Sequence, residues 1–382
     1  MTPPRGKAQS PTTKLMHRHT YLAIFLALAT LLLSPHSLWA AKKKPWTLKD
    51  RLRVQVLYDL GYDSNYLNFS ERDLDKFQNG TLTLVTDIET YDALVQSAGM
   101  KFNLRTPTIA GWRYGFVTYT VSYNRYANNS FNNRAVHSLW VSHNLIRQVD
   151  FIGSYLYIPN RYLRDYYDRD YGTYHASQFE YMIGGAGLRY SPNKLRGLTL
   201  SGRYESSTIY YNPRFTEYDT EGWGVRFDAR YRVSRALTVT GIYKKRLFDN
   251  VGYTGVGASG IQIDEDSEYG DGSYGEDWFE FLAAVRTPSF LDRSWNVNAG
   301  ARFRHRYYTS SIPLTEDPIH RGREHLHSLF TLSASTQILQ NLEGGPSLEY
   351  ETRRTDSPLD WVARVKDYDS WRVGLSLSYT IW

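Results

Sequence analysis

The last twelve residues of the chain, Trp371 to Trp382, read WRVGLSLSYTIW. Trp371, Val373, Leu375, Leu377, Tyr379 and Ile381 fall on one face of an extended strand, while Arg372, Gly374, Ser376, Ser378 and Thr380 fall on the other. A period of two leaves no helical reading, because a helix would scatter both sets around its axis. The strand therefore needs apolar surroundings on one side and polar surroundings on the other.

The same pattern recurs along the chain, and fourteen alternating segments can be counted. The first carries Leu52, Val54, Val56, Tyr58, Leu60 and Tyr62 against Arg53, Gln55, Asp59 and Asp63. The second sets Ala98, Met100, Phe102 and Leu104 against Lys101, Asn103 and Arg105. The third sets Val117, Tyr119, Val121 and Tyr123 against Thr118, Thr120, Ser122 and Asn124. The fourth, about Arg134 to Ile146, has no clear phase. In the fifth, from Phe151, Pro159 argues for a rim position. The sixth, Phe179 to Tyr190, carries Gly184, Gly185 and Gly187, which would permit a bend or the close approach of a plug. Strands seven to nine are the cleanest, with Leu200, Phe227 and Val239 typical of one face and Arg203, Arg226 and Lys244 of the other. Strands ten to thirteen begin near Phe279, Val297, Leu326 and Leu348. Short turns such as Ser191 to Gly197 alternate with long segments such as Ser64 to Ala93 and Val251 to Asp277.

Composition supports a wall rather than a soluble core. There are 32 Tyr and 10 Trp, and no Cys, which excludes disulfides, thiolate metal sites and thiol nucleophiles. Mean hydropathy is −0.51. The net charge of +6 is concentrated at the front, where Arg5, Lys7, Lys14 and Arg18 account for four of the 45 basic residues. The remaining 41 basic residues face 39 acidic ones, so nucleic-acid binding gains no support. A basic segment ending at Arg18, the 13-residue apolar run Tyr21 to Leu33 and SPHSLWA resemble a secretory signal peptide over residues 1–40, cut after Ala40. The run is short for a transmembrane helix, which needs ~20 residues. Met1 or Met16 could be the start.

These segments resemble the strands of a Gram-negative outer-membrane β-barrel, and the closing strand with its terminal aromatic resembles the one the assembly machinery recognises. The resemblance implies an all-β, transmembrane, antiparallel up-and-down barrel over residues 51–382, of about 14 strands with 12 or 16 as alternatives, both termini periplasmic. Residues 41–50 would be a short periplasmic segment. Tyr379, Ile381 and Trp382 would form the assembly signal, although Trp382 lies one residue out of phase with Tyr379. Implied partners are outer-membrane lipid, lipopolysaccharide and the barrel-assembly machinery. The stretch DLGYDSNYLN, Asp59 to Asn68, looks like the GYDSN-type first strand of barrels linked to exopolysaccharide export and surface-protein assembly, which adds polysaccharide-export proteins as partners.

The polar faces suggest what such a barrel would carry. Arg203, Arg226, Arg230, Arg232, Lys244, Arg246, Arg286, Arg302, Arg304 and Arg306 would line one wall. Fewer acids, Asp59, Glu205, Asp228, Glu280, Glu349 and Glu351, share that lumen. Fixed cations in a wet pore favour anions, and Arg binds carboxylates and phosphates through two bonds at once. The alternative is an Arg-to-acid ladder that only stiffens the wall. Between Tyr155 and Tyr181, Tyr162, Arg164, Tyr166 and Tyr167 are candidate saccharide contacts, or else part of an interfacial aromatic girdle.

No catalytic or metal site emerges. The acidic loop Ile263 to Asp277 lacks calcium-loop spacing. In SHN at Ser142 to Asn144, neighbouring residues point to opposite faces. The function expected is an outer-membrane pore or export channel for polar, anionic saccharides, with no cofactor; the alternative is a non-conducting structural or surface-assembly barrel.

Overall fold

The computed structural model describes residues 50–82, 88–106, 114–168, 172–253, 270–289 and 292–381. The proposed signal peptide, residues 41–49, residues 263–269 of the acidic loop and Trp382 lie outside that set.

Alternation produces strands at Leu52–Asp63 (β1), Ala93–Arg105 (β2), Gly115–Tyr126 (β3), Arg134–Ile146 (β4), Val149–Asp168 (β5), Thr173–Tyr190 (β6) and Leu198–Tyr211 (β7). The second half comprises Thr220–Arg232 (β8), Leu237–Asn250 (β9), Tyr274–Arg286 (β10), Trp295–Tyr308 (β11), Glu324–Leu339 (β12), Leu342–Asp356 (β13) and Tyr368–Thr380 (β14). Each pairs antiparallel with its sequence neighbours, and β1 pairs with β14, closing a fourteen-stranded barrel. Closure leaves no free edge whose N–H and C=O groups would go unpaired.

Register fixes which residues face inward. Val56 lies opposite Tyr379 and Leu60 opposite Leu375, while Asp59 meets Ser376 and Asp63 meets Arg372. Apolar side chains thus share the outer surface, where Tyr123, Phe281, Leu332 and Leu375 are at least half exposed. A belt of this kind suits hydrocarbon, since water would not favour so large a continuous apolar surface. The unphased fourth strand is settled the same way: Trp140 lies opposite Thr118 and Arg134 opposite Asn124, so these point inward and Leu139 points outward.

The two barrel ends differ. One carries the turns 147–148, 191–197, 233–236 and 340–341. The other carries the long segments, with two short helices, Glu71–Gln78 (α1) and Asp360–Lys366 (α2). Ser70 caps α1, its hydroxyl accepting from the Asp73 N–H while Asp73 accepts from the Ser70 N–H, so both orphan donors are satisfied. The β1–β2 segment folds back inside the rim: Leu67 and Phe69 are buried with Tyr162, and Tyr66 packs on inward-facing Tyr126 with ring centroids 5.5 Å apart. Asn65 pins it, its Nδ2 donating to the carbonyls of Phe69 (2.8 Å) and Asp369 (3.0 Å). The DLGYDSNYLN stretch therefore ties β1, this inserted segment and β14 together.

Three expectations change. The acidic loop stops earlier than Asp277, because Tyr274 to Asp277 already belong to β10, paired with Phe248 to Lys245. Pro159 is not at a rim; it sits inside β5 where the pairing slips between Ile158 and Arg161, a bulge that needs no N–H from proline. Of the three glycines of β6, Gly185 and Gly187 admit the neighbouring strand rather than a plug, while Gly184 has open space beside it. A Cβ on Gly187 would come within 2.0 Å of the Gly202 carbonyl and 2.8 Å of Arg203 Cγ.

Candidate functional site

Hydrogen-bonded partners on neighbouring strands align into rows that run obliquely round the wall. One inward row contains Arg203 and Arg226, then Lys244, Trp278, Arg304, His327, Arg353 and Tyr368, each opposite the next. It contains five fixed cations and one histidine but no carboxylate. The row on the turn side contains Asp228, Glu280, Arg302 and Glu351. The row on the loop side contains Glu205, Arg246, Glu276, Arg306 and His325.

Like charges directly opposite one another on adjacent strands are unfavourable, so a stiffening ladder would alternate signs along a row. Here the acids reach the cations from the flanking rows. Arg203 pairs with Glu205 at 3.4 Å and Arg226 with Asp228 at 2.6 Å, both two residues along the same strand. Arg302 meets Glu280 at 3.4 Å. Glu276, 1% exposed, is clamped between Arg246 and Arg306, the latter at 3.2 Å. Arg246 also donates to the Tyr181 hydroxyl at 3.3 Å.

Lys244 and Arg304 have no carboxylate partner among the described residues and instead face Trp278. The Lys244 ammonium lies 4.0 Å from a Trp278 ring centroid, and the guanidinium carbons of Arg302, Arg246 and Arg304 lie at 4.6, 5.3 and 5.6 Å. The indole N–H donates to Glu280 Oε2 at 3.3 Å. One aromatic ring thus takes the place of a carboxylate for several cations, stabilising their charge through its quadrupole without cancelling it.

On the turn side of this row the lumen holds a cavity of about 750 Å³, lined among others by Trp140, Arg203, Arg226, Asp228, Arg230 and Thr331. On the loop side it is occupied by side chains. Tyr166 packs on Phe215 with centroids 6.0 Å apart, Phe248 stacks on Tyr274 at 4.6 Å, and Phe69, Phe215 and Ile319 are each 1% exposed.

By register every residue of the expected basic wall points inward, but not at one height. Arg302, Arg304 and Arg306 belong to three successive rows, Arg230 and Arg286 lie toward the turns, and Asp59 on β1 and Glu349 on β13 face the lumen on either side of β14. Of the candidate saccharide contacts, Tyr162 and Tyr166 are each 6% exposed with rings against Phe131 and Phe215, Arg164 lies on β5 near Arg353, and the Tyr167 side chain is outside the described residues. Tyr379 and Ile381 are exposed on the outer face. Sequence reasoning missed Trp278 and Trp140, because an aromatic residue on a polar face reads as a phase error. It also missed Glu276, hidden in what looked like loop, and the inward pair His325 and His327, whose one signal was their spacing of two.

No family model and no curated relative matches the chain. Solved structures to which it is similar include a bacterial polysaccharide outer membrane secretin (10% identity, 86% of this chain and 98% of that one, TM-score 0.33). Others are OccAB3 of Acinetobacter baumannii (10%, 86% and 99%, TM-score 0.39) and the toluene transporter TodX of Pseudomonas putida (10%, 92% and 93%, TM-score 0.37). These likenesses are loose. The class itself is defined by the closed ladder: a fourteen-stranded antiparallel barrel with an apolar outer belt and a charged interior.

Proposed function

We propose that the chain is an outer-membrane barrel whose lumen favours anions, a pore or export channel for polar, anionic saccharides. The observation carrying this reading is the row from Arg203 to Arg353, where cations sit on adjacent strands with no carboxylate among them. Such a row lowers stability as a structural device and raises local anion concentration as a functional one. Residues 1–40 serve as the export signal, the apolar belt sits in lipid and lipopolysaccharide, and Tyr379, Ile381 and Trp382 address the assembly machinery. Anionic saccharides suit a lumen that pairs cations with tyrosines, and export proteins are the matching partners.

The test is ion selectivity in planar bilayers. A salt gradient across the wild-type barrel should give a reversal potential of anionic sign. Changing Arg226, Lys244 and Arg304 together to Gln should move it toward that of a neutral pore, whereas an unchanged potential would remove the row from the transport reading. A second reading, a non-conducting barrel with a structural or surface-assembly role, is favoured by the side chains filling the loop end around Phe69 and Phe215. Absence of current at every voltage would establish it over the first.

A further inference from the structure

The geometry points to a discrete oxyanion-binding site on the basic row, between Arg304 and Arg353 over His327, taking the carboxylate or phosphate group of a solute in the lumen. This deepens the anion-channel reading and rests on it for the biological source of the ligand, though not for the binding itself.

Arg304 lies opposite His327 and His327 opposite Arg353, so the two arginines stand two strands apart. At ~4.8 Å per strand their backbones are separated by roughly 10 Å, a width that a carboxylate or phosphate accepting from both sides can bridge. Neither guanidinium leans into the gap. Arg304 turns toward Trp278 on β10, and Arg353 turns the other way, its guanidinium carbon 4.7 Å from the Tyr368 ring centroid and its Nε donating to the Lys366 carbonyl.

The nearby acids are already engaged. Glu351 accepts from the Tyr368 hydroxyl at 2.6 Å and lies 4.0 Å from His327 Nδ1, beyond hydrogen-bond range. Glu276 is held by Arg246 and Arg306. His327 is 9% exposed, and its Nδ1 is sealed from solvent with no hydrogen-bond partner among the described residues; Nε of Arg306, one row up, is in the same position. Buried polar atoms left unsatisfied cost ~1–3 kcal/mol each, and here two of them lie beside the pair of cations. A bound oxyanion would accept from both guanidiniums, and from the imidazole in the tautomer that carries its proton on Nδ1.

Wild-type barrel folded in detergent would be heated in the presence of inorganic phosphate, glucuronate or glucose, and the temperature at which the folded band is lost on electrophoresis recorded against concentration. Because each probe is present throughout unfolding, a closed loop end does not limit access. Saturable stabilisation by phosphate or glucuronate, and none by glucose, is the result expected; which of the two binds tighter identifies the source of the oxyanion. R304Q or R353Q should weaken the apparent affinity at least tenfold, and R230Q, a basic-wall residue away from the gap, less than twofold. As a check independent of stability, imidazole nitrogen resonances of labelled protein should shift for His327 on titration with the same anion. No saturable stabilisation, or equal loss in R230Q, would overturn the site. Current with no saturable binding would sink the site and leave the pore standing; binding without current would do the reverse.

Discussion

Asp63 at the loop end of β1 accepts from Arg372 of β14 at 2.6 Å and from the Ser370 hydroxyl at 2.8 Å, and these bonds fasten the first strand to the last. Asp63 is 3% exposed, and Arg372 also reaches Glu349 at 2.8 Å. The closing seam is therefore held by side chains as well as by its ladder. Asp63→Ala should lower stability by about 1–2 kcal/mol, near the low end because Arg372 stays half exposed and keeps Glu349. Thermal loss of the folded electrophoretic band would measure it. Arg353→Ala, away from the seam, is the comparison, and an effect on opening of the seam only in D63A is expected from cross-linking of cysteines placed at Gln55 and Thr380.

The inserted β1–β2 segment is anchored chiefly by Phe69, buried against Leu67 and Tyr162. Truncation of such a side chain costs ~3–5 kcal/mol where the site cannot collapse, and here the loss falls on docking of the segment rather than on the ladder. Phe69→Ala should leave the barrel folded and give larger or noisier single-channel currents. Identical traces for wild type and F69A would show that this segment does not obstruct the lumen.

The barrel was legible because one physical signal, period two, repeats on most strands; the strand count follows from it, and so do the outward faces except that of β4, whose phase only its pairing with β3 supplies. What local pattern could not supply is the register between strands. From sequence, Arg302, Arg304 and Arg306 look like one basic patch, yet they lie in three rows, and the residues that share a row with Arg304 lie from 23 (His327) to 101 (Arg203) positions away along the chain. Trp278 was invisible for a related reason: an aromatic ring serving cations contradicts the usual meaning of an aromatic residue in a barrel wall. The plugging of the loop end by Phe69, Phe215 and Ile319 depends on long-range packing of irregular chain, which carries no periodicity at all.

The segment between β11 and β12 should loosen as pH falls. Asp317, fully buried, accepts from Ser310 Oγ at 2.7 Å, from the Asp271 N–H at 3.2 Å and from His320 Nδ1 at 2.9 Å. Burial alone would raise its pKa, but the bonds from His320 and Ser310 outweigh it and hold the carboxyl below 3.8. Burial lowers His320 from 6.5, with Arg323 acting in the same direction and Asp317 and Asp271 opposing. Both groups bind protons more weakly folded than unfolded, so each contributes stability above its unfolded pKa that is lost as pH falls through its folded one. The His320 contribution should fade from about pH 6.5 downward and the Asp317 contribution only below about 3.8. Amide exchange in residues 309–323, corrected for its intrinsic pH dependence, should rise between pH 7 and 5, and His320→Asn should flatten that rise.

Trp278 separates two roles of the basic row, holding its cations in place and supplying their charge. If the ring does only the first, Trp278→Leu leaves every charge in the lumen and should preserve anion selectivity. The cost is then structural: each cation–π contact is worth ~0.5–1 kcal/mol at a wet site, and the closest, to Lys244 at 4.0 Å and Arg302 at 4.6 Å, should account for about 1–2 kcal/mol together. Lys244→Gln should behave oppositely, with selectivity reduced and stability little changed, because relief of repulsion from Arg226 offsets the lost contact with Trp278. Reversal potential and thermal unfolding measured on both variants decide it. Loss of selectivity in W278L at unchanged stability would mean that the indole itself touches the passing solute.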